Sequence, residues 1–530
     1  MEGIAVTYEV ESYNNLVEHF GKIMDLNNAI AILMNDAAIT MPENSEHDRA
    51  RQISTLAEMA SSMIKDPKVE ELLDVAEAQK DFLGKDQQRN LFLMRKNWIE
   101  EASLPTELVK ERSLLEMEGD KRNTKAKEEG ITDWAYMQDW YDKNFKFARR
   151  MAEILKEKKG TKTLYGALLD SFSPDLEEAT VEKEFAMLER ELPSLIKEIK
   201  EKQENQAPAI PLKGPFPREQ QIKLLSKLIK AIGFDTTRGR IDVISGHPSC
   251  AGTASDVRFT TDCDEENFLT AVGSTVHETG HALYEQNTPM DWRYSPVGRS
   301  MGMAIHESQS RIIEVQACHT PEFFQYLEKE AREIFGRPDD ASLAAENLQK
   351  LATKVTPSFI RTEADEVTYA AHIILRHKLE KSLLEGQMSI NDLPAKWNDG
   401  MEKLLGITPP DASKGCMQDV HWSCGLVGYF PAYTIGDMGA AQFFNAACKA
   451  KPELREELKS GNFKPLKEWL GENVHSKGSL LTTDELFVQA TGEKLNANYY
   501  LNSLSERYLG KTFTPKSGLV NNFKNTGLKL

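Results

Sequence analysis

The sequence predicts a mainly α-helical protein with one short β segment, and two patterns lead to this fold class. From residue 10 to about residue 160, Leu, Ile, Met and Ala recur at helical spacing among charged residues, as in stretches 48–80 and 106–128. Extended character is confined to residues 239–261, where two runs typical of strands flank a glycine-rich loop. We therefore expect packed helices and a small sheet of two strands.

Length and charge limit the classes of function. The chain has 530 residues, which suffices for one large cleft-forming unit or for about two to four ordinary domains. Lys and Arg total 65 and Asp and Glu total 82, so the formal net charge is −17. No long basic block is present, and this composition argues against nucleic acid and anionic membranes as partners.

The start of the chain and its cysteines indicate a soluble cytoplasmic protein. Residues 1–11 show neither the basic start nor the apolar run of a secretion signal, and no run of about 18 apolar residues occurs. The six cysteines include no Cys-x-x-Cys pair. We expect them to be reduced thiols that are mostly buried.

The strongest linker signal is the proline-rich segment at residues 206–217. It separates an N-terminal helical part, residues 1–205, from residues 206–530. We interpret it as a loop over a cleft, because the amphipathic helix predicted at 218–232 leads directly into the segment that carries the candidate site. The expected organisation is one unit of residues 1–530, with a groove between the two parts.

The motif that most directly indicates a function is His277-Glu278-Thr-Gly-His281. On a helix the two histidines are one turn apart and face the same side. Two imidazoles at this spacing can share a zinc ion, and Glu278 can reach the attacking water as a general base. The pattern is typical of metallopeptidases, but it also arises by coincidence on surface helices, so it needs independent support.

A second predicted helix, beginning near Gly302, supplies the candidates for a third ligand. Catalytic zinc sites use three protein ligands and leave one position open. We expect Glu307 to be the third ligand. Glu314, two turns later on the same face, is either a competing ligand or a hydrogen-bond partner of a ligating histidine. His306 points elsewhere on the helix and is expected to pack or to support a ligand.

The β segment adds a polar face next to the motif helix. Asp256, Arg258 and Thr260 alternate along the second predicted strand, so their side chains point to one face. This face could form the edge of a cleft that pairs with an extended peptide. Alternatively, it is a solvated sheet face on which Asp256 and Arg258 pair with each other.

Arg361 is a candidate for binding a substrate carboxylate. It lies in a helix predicted to open at residues 359–365, and a guanidinium can hold a carboxylate by two parallel hydrogen bonds. The alternative is a surface salt bridge with Asp365, four residues along the same helix.

Residues 415–433 combine polar and aromatic side chains with several glycines and are not amphipathic. His421 and Tyr433 are candidate hydrogen-bond donors to the oxyanion that forms as water adds to a peptide carbonyl. Tyr429 is the alternative to Tyr433, and Trp422 is expected to pack.

Taken together, these segments resemble the carboxypeptidase Taq family of zinc metallocarboxypeptidases. Five of its six motifs match fully, and Ser249 stands where the family has phenylalanine. The length and the helical first part agree with the family over essentially the whole chain. The matching segments are His247-Pro248-Ser249, Asp256-Val-Arg258-Phe-Thr260, His277-Glu278-Thr-Gly-His281, His306-Glu307-Ser308-Gln309, Ile360-Arg361-Thr-Glu-Ala364-Asp365 and Gly415-Cys-Met-Gln418-Asp419-Val-His421-Trp422.

The resemblance implies a fold, an activity and an assembly. The fold would be almost entirely helical and divided by a deep groove, similar to angiotensin-converting enzyme and neurolysin, and the protein would be a homodimer. The activity would be removal of single residues, with broad preference, from peptides that have a free C-terminus. An oligopeptidase or endopeptidase on the same zinc core is the alternative, and an inactive scaffold is disfavoured by the intact Glu278.

The predicted site follows from these observations. The metal is expected to be Zn²⁺, with Co²⁺ or Mn²⁺ able to occupy the same ligands. An exopeptidase needs a fixed cation for the terminal carboxylate, and Arg361 is the first candidate and Arg258 the second. The full prediction comprises the ligands His277, His281 and Glu307, the catalytic residues Glu278, His421 and Tyr433, and the substrate-binding residues Arg361, Arg258, Asp256 and His247.

Overall fold

The computed structural model describes residues 10–244, 246 and 248–515 of the chain. Within them the chain forms twenty α-helices and one three-stranded sheet. The predicted mainly helical fold with a small sheet is confirmed.

Nine helices precede the sheet. The stretches predicted at 106–128 and 218–232 are single helices, whereas 48–80 is divided into two. The division lies at Asp66, whose side chain accepts a backbone hydrogen bond from the next helix, and Pro67 opens that helix. In chain order the helices are α1 (Glu11–Ile39), α2 (Glu46–Ile64), α3 (Pro67–Ala78), α4 (Lys85–Ala102), α5 (Thr106–Glu128), α6 (Ala135–Lys159), α7 (Leu164–Phe172), α8 (Glu178–Glu204) and α9 (Arg218–Ile232).

The sheet has one strand more than predicted. Residues within the expected glycine-rich loop pair antiparallel with the last strand across a tight turn at Ala254 and Ser255. This turn lacks the Asn-Gly or Asp-Gly pair that signals a tight hairpin in a sequence, so the extra strand was missed. The strand order is β1-β3-β2, with β1 parallel to β3. The strands are β1 (Gly239–Val243), β2 (Cys250–Thr253) and β3 (Asp256–Thr261).

Eleven α-helices follow the sheet. A π-helical turn, Ile312–Ala317, continues the second of them, and another, Ser505–Leu509, follows the last. The α-helices are α10 (Phe268–Gln286), α11 (Met303–Arg311), α12 (Pro321–Phe335), α13 (Ala345–Ala352), α14 (Tyr369–Leu384), α15 (Leu393–Leu405), α16 (Pro431–Ala450), α17 (Leu454–Leu458), α18 (Lys464–Asn473), α19 (Thr483–Thr491) and α20 (Ala497–Leu504).

Helices α10, α11 and α16 pack unusually closely, and two glycines permit this. A Cβ atom at Gly280 would lie 2.3 Å from the carbonyl oxygen of Gln309, and one at Gly436 would lie 2.6 Å from Cγ of Glu307. Neither glycine is at a turn, so close approach between helices explains both. The main hydrophobic core, which extends from Leu104 to Tyr508, surrounds these three helices.

A cavity of about 890 Å³ opens beside the three central helices. Its wall includes side chains of α10 and α11, and Pro211 and Leu212 of the proline-rich segment. Residues 207–213 have no helix or strand, as expected of a loop, and the division of the chain into two parts with a groove between them stays a prediction.

Two further expectations concern thiols and membranes. All six cysteines are free, but only Cys318 and Cys416 are buried, so the prediction of mostly buried thiols was wrong.

Over the described ranges, no helix has both the length and the apolar character that a membrane span requires.

Candidate active site

Three side chains form a candidate metal site, and two of them, His277 and Glu307, line the cavity. His277 and His281 come from α10, and Glu307 comes from α11. Oε2 of Glu307 lies 3.9 Å from Nε2 of His277 and 3.5 Å from Nε2 of His281. The three ligand atoms lie within 4.8 Å of one another, and they are the one such group in the described part of the chain.

Each histidine is held through its other ring nitrogen. Nδ1 of His277 lies 2.7 Å from Oε2 of Glu314, so Glu314 is a hydrogen-bond partner of that histidine. Nδ1 of His281 lies 2.6 Å from Nδ1 of His306, whose Nε2 lies 2.8 Å from Oε1 of Glu285. His306 therefore supports a candidate ligand, which was one of its two expected roles.

These contacts fix the tautomers that a metal requires. Because a carboxylate only accepts, His277 donates from Nδ1 to Glu314, which leaves Nε2 as the nitrogen that a metal would take in exchange for its proton. His306 donates from Nε2 to Glu285, so its Nδ1 accepts from His281, which keeps a lone pair on Nε2. Both Nε2 atoms lie on the side of Glu307. This arrangement, with the candidate ligating nitrogens on one side and the opposite nitrogens anchored, fits a divalent metal.

The charges at the site also favour a cation. Burial alone would raise the pKa of Glu307, but His277 and His281 lower it to about 2, so the carboxylate stays ionised. Burial alone would lower the pKa of His277, but Glu307 and Glu314 raise it to about 9. Burial, together with the neighbouring His306, lowers the pKa of His281 to about 4. The carboxylates thus stabilise positive charge where His277 and Glu307 face each other.

Glu314 is fixed by the π-helical turn that follows α11. The side chain of Arg311 reaches it at 2.7 Å and pairs with Asp437 at 2.6 Å through its Nε. Burial would raise the pKa of Glu314, but Arg311 and His277 hold it well below its usual range. A π-turn displaces the residues that follow it relative to an α-helix, and such turns are frequent at functional sites.

Glu278 follows His277 directly on α10. Its side chain is buried, with 5% of its surface exposed, and it lines the same cavity as His277 and Glu307. A carboxylate at this place can exchange a proton with a water molecule in the cavity.

Arg361 brings a buried cation to the cavity wall. Its Nε donates to Oδ1 of Asp419 at 2.8 Å and its Nη1 to the hydroxyl of Tyr369 at 2.9 Å. The alternative surface bridge to Asp365 does not form, since Asp365 instead accepts backbone N–H groups, including that of Thr368. The expected helix at 359–365 is a short 3₁₀ turn, and α14 begins only at Tyr369.

Tyr433 also lines the cavity, near the start of α16. Its hydroxyl lies 3.4 Å from Nε2 of His421, and its ring packs against Tyr429 with centroids 5.4 Å apart. Burial raises the pKa of Tyr433 well above its usual range, so the hydroxyl keeps its proton. Burial lowers the pKa of His421 to about 4. His421 is therefore a neutral neighbour behind Tyr433, outside the described wall of the cavity.

The comparison that decides the family covers almost the whole chain. The family model described as carboxypeptidase Taq (M32) metallopeptidase matches residues 15–508. The chain belongs to the M32 family. The resemblance inferred from the motifs is confirmed, and the protein is a metallocarboxypeptidase.

Relatives of known name agree with this assignment. Carboxypeptidase 1 of Bacillus subtilis is 32% identical over 95% of this chain and 98% of its own length. Thermostable carboxypeptidase 1 of Pyrococcus furiosus is 33% identical over 95% of this chain and 99% of its own length. Among solved structures, metallocarboxypeptidase 1 of Trypanosoma cruzi is 31% identical, with a TM-score of 0.91 over 94% of this chain and 100% of that one.

In this M32 carboxypeptidase the sheet does not place its charged residues in the described wall of the cavity. Arg258 forms two hydrogen bonds with Asp256, of 2.8 and 3.0 Å, which is the second of the two arrangements foreseen for that face. Thr260 is buried and accepts a hydrogen bond from the backbone of Ser249. His247 lies outside the described residues, although its neighbour Pro248 lines the cavity.

Two residues that contact Arg361 at the candidate site received no role from the sequence. Asp419 is buried between two guanidinium groups, since it accepts from Arg361 and, at 2.6 Å, from Nε of Arg376. Burial would raise the pKa of Asp419, but Arg376 and Arg361 hold it well below its usual range. The second residue without a predicted role is Tyr369, whose hydroxyl accepts a hydrogen bond from Nη1 of Arg361. Asp419 stood inside a matching motif, whereas no sequence pattern pointed to Tyr369.

Proposed function

We propose that this protein is a zinc carboxypeptidase that releases single amino acids from peptides with a free C-terminus. One observation carries the proposal: the buried cation of Arg361 and two of the three candidate metal ligands, His277 and Glu307, line one cavity. A metal site alone is compatible with cleavage anywhere in a peptide. A fixed cation in the same cavity can bind the terminal carboxylate of a peptide, and this would direct cleavage to the chain end.

His277, His281 and Glu307 would hold the metal. When bound, a divalent ion supplies Lewis-acid activation of water and of the scissile carbonyl. Two imidazoles and one carboxylate form a ligand set typical of catalytic zinc, and cobalt or manganese can occupy it. We therefore expect elemental analysis of the purified protein to find about one zinc per chain.

The chain's own residues carry the proton transfers. Glu278 accepts a proton as water attacks the scissile carbonyl, and it returns that proton to the leaving amine. The hydroxyl of Tyr433 donates a hydrogen bond to the oxyanion, and its raised pKa keeps the donor protonated. His421 orients that hydroxyl from behind.

Arg361 would select the chain end. Burial alone would lower its pKa, but Asp419 raises it further above its usual range, so the guanidinium stays charged at every working pH. The hydrogen bonds to Asp419 and Tyr369 fix its plane and use two of its five N–H donors. The terminal carboxylate of a peptide substrate can accept hydrogen bonds from the remaining N–H donors of Arg361 at the cavity edge.

Broad preference, a homodimer and a cytoplasmic location complete the proposal. The cavity wall mixes apolar residues such as Phe323 and Leu327 with charged ones such as Glu266, which does not favour one class of side chain. Sedimentation equilibrium of the purified protein tests the homodimer, and a twofold mass relative to the chain is the expected result.

A pair of arginine variants tests the proposed function. Arg361→Ala should lower kcat/KM by about 10²- to 10³-fold on a peptide with a free C-terminus, because truncating a buried charge partner costs about 2–5 kcal/mol. Cleavage of the C-terminally amidated peptide, already slow, should change little. Arg258→Ala is the matched control and should leave both rates near wild type.

Two outcomes would contradict the proposal. Equal loss by Arg361→Ala on free and amidated peptides would remove its carboxylate role. A large loss of activity in Arg258→Ala on the free-carboxylate peptide alone would assign the carboxylate-binding role to Arg258 in the sheet.

A separate variant, Glu278→Gln, should retain the metal and lose turnover. Near-normal activity of this variant would refute the role of Glu278 as general base.

A further inference from the structure

A second cavity, of about 490 Å³, lies between the N-terminal helices and the segment that precedes α11. It falls in the range of about 300–1,000 Å³ that is typical of small-molecule sites. It shares no described lining residue with the catalytic cavity. Helices α1, α2 and α4 form one side, and Pro296 to Gly302 contribute the other.

One charged group at this cavity is Arg299, which is half-buried. Its guanidinium donates two hydrogen bonds to the amide oxygen Oδ1 of Asn28, at 3.2 and 3.5 Å. Among the described residues no carboxylate lies within ion-pair distance of it. Arg89, on the same wall, differs because it pairs with Asp175 at 2.6 Å. Arginine in a partly apolar environment normally has an anionic partner, so Arg299 offers an open site for an anion.

The opposite charge is present on the same cavity. Glu101, near the end of α4, is half-buried and has no hydrogen-bond or ion-pair partner within the described ranges. Its neighbour Glu100 differs, since it pairs with Lys159. Arg299 and Glu101 do not pair with each other. Burial alone would raise the pKa of Glu285, and Arg299 helps to lower it from a distance, after His306 and Ser300. Among the residues that the structure describes, one cavity therefore presents a guanidinium without a direct ion pair and a carboxylate without a direct partner.

The surface around the two charges is apolar. Side chains from α1 and α2 form it, and Leu93 of α4 extends it. An apolar group of a ligand would be removed from water here, which is favourable in proportion to the area covered. The residues from α1 and α2 are Phe20, Ile23, Met24, Ala57, Ala60 and Ile64.

We propose that this cavity binds a zwitterion with an apolar side chain, either a free amino acid or a short peptide. Its carboxylate pairs with Arg299, its ammonium group with Glu101, and its side chain packs on the α1–α2 surface. A long-chain carboxylate would match Arg299 but would leave Glu101 without a partner. Binding here is independent of the proposed reaction and does not involve the metal ligands.

Calorimetric titration of the Glu278→Gln, Arg361→Ala double variant tests this site without turnover and without the carboxylate anchor of the catalytic cavity. The ligands are leucine, the dipeptide Leu-Leu, N-acetyl-leucine, leucinamide and octanoate. Leucine or Leu-Leu should bind with a stoichiometry of one per chain. The three ligands that lack one charge should bind at least about 10-fold more weakly. The stronger of the first two identifies the size of the ligand.

Further variants in the same background locate the binding. Arg299→Gln and Glu101→Gln should each weaken binding of the zwitterion at least about 10-fold, whereas Arg293→Gln, at an exposed arginine nearby, should not change it. Thermal unfolding verifies that each variant folds, and either of the first two suffices for the test. Undetectable binding of both zwitterions, unchanged affinity in a folded Arg299→Gln or Glu101→Gln protein, or equal affinity for octanoate would overturn the proposal.

Discussion

His277 contacts two carboxylates through opposite edges of its ring: Nδ1 lies 2.7 Å from Glu314, and Nε2 faces Glu307 at 3.9 Å. One carboxylate therefore orients the imidazole, and the other shares its metal-binding side. Arg311, which also lines the cavity, pairs with both Glu314 and Asp437. The geometry assigns different tasks to two glutamates that lie close together in the sequence.

Removing Glu314 should weaken metal binding without removing a ligand. We expect Glu314→Ala to lower the affinity for zinc by about 10- to 100-fold, because His277 loses the group that fixes its ring and tautomer. Competition with a chromogenic chelator measures this affinity. Glu333→Ala is the control, since its side chain is 65% exposed and remote from the metal ligands. Unchanged affinity in Glu314→Ala would show that His277 does not need this partner.

Gly436 should be intolerant of even a methyl group. In Gly436→Ala the new Cβ would lie 2.6 Å from Cγ of Glu307, so α11 and α16 must separate or Glu307 must move. We expect lower metal content and a loss of about 1–3 kcal/mol in the free energy of unfolding. Gly471→Ala is the matched control on α18, where a Cβ meets no atom within 4 Å. That change should stabilise the protein by about 0.5–1 kcal/mol.

Equal behaviour of the two glycine variants would contradict the close-packing explanation. Denaturant unfolding gives the stability of each, and elemental analysis gives the metal content after purification in the presence of zinc. Loss of metal from Gly471→Ala would be equally inconsistent, because that residue is not in the helices that carry the ligands.

Asp419 should govern both stability and recognition of the chain end. Asp419→Asn leaves Arg361 and Arg376 buried without their shared carboxylate, and breaking such a pair costs about 3–5 kcal/mol of stability. KM for free-carboxylate peptides should rise more than KM for amidated ones. Asp256→Asn is the control, because its pair with Arg258 is partly exposed and should contribute less than about 1 kcal/mol. An equal rise of KM on both substrates would contradict a role through Arg361.

The pH dependence of stability should carry a contribution from Glu380. This buried carboxyl accepts hydrogen bonds from Trp422 and Gly428, yet burial raises its pKa from 4.5 to about 7. Between those values the unfolded chain ionises while the folded protein stays protonated, so stability falls as pH rises. The loss should reach about 3 kcal/mol above pH 7.

The variant Glu380→Gln isolates this contribution. Its stability relative to wild type should improve by about 3 kcal/mol between pH 4.5 and pH 8, because the amide does not ionise. Urea unfolding at several pH values measures the difference, in which other titrating groups cancel. A difference that stays constant with pH would show that Glu380 has an ordinary pKa in the folded protein.

Local patterns allowed the residues of the candidate metal site to be predicted. Helical periodicity placed His277 and His281 on one face, and the next helix supplied Glu307. The structure groups these three residues. The structure also distinguishes Glu314 from these three residues, because Glu314 contacts Nδ1 of His277. Only the folded structure shows which nitrogen of His277 Glu314 contacts. The two expected strands and the helices at 106–128 and 218–232 were found for the same reason, since each depends on a short stretch of sequence.

The substrate side depended on contacts that no local pattern encodes. Asp419 meets Arg361 and Arg376 across 58 and 43 residues of chain. The sequence offered only Asp365 as a protein partner of Arg361, and the fold was needed to show that Asp419 takes that place. The third strand was missed because its turn carries Ala254 and Ser255, and the division at Asp66 because amphipathic spacing continues across it.

The central claim is that cleavage starts from a free C-terminus and requires the metal. Mass spectrometry of the products from one peptide, supplied with a free or an amidated C-terminus and with or without a zinc chelator, tests it most directly. We predict a series of products shortened by single C-terminal residues from the free peptide alone, abolished by the chelator and restored by added zinc. Internal fragments, or equal cleavage of the amidated peptide, would contradict the account.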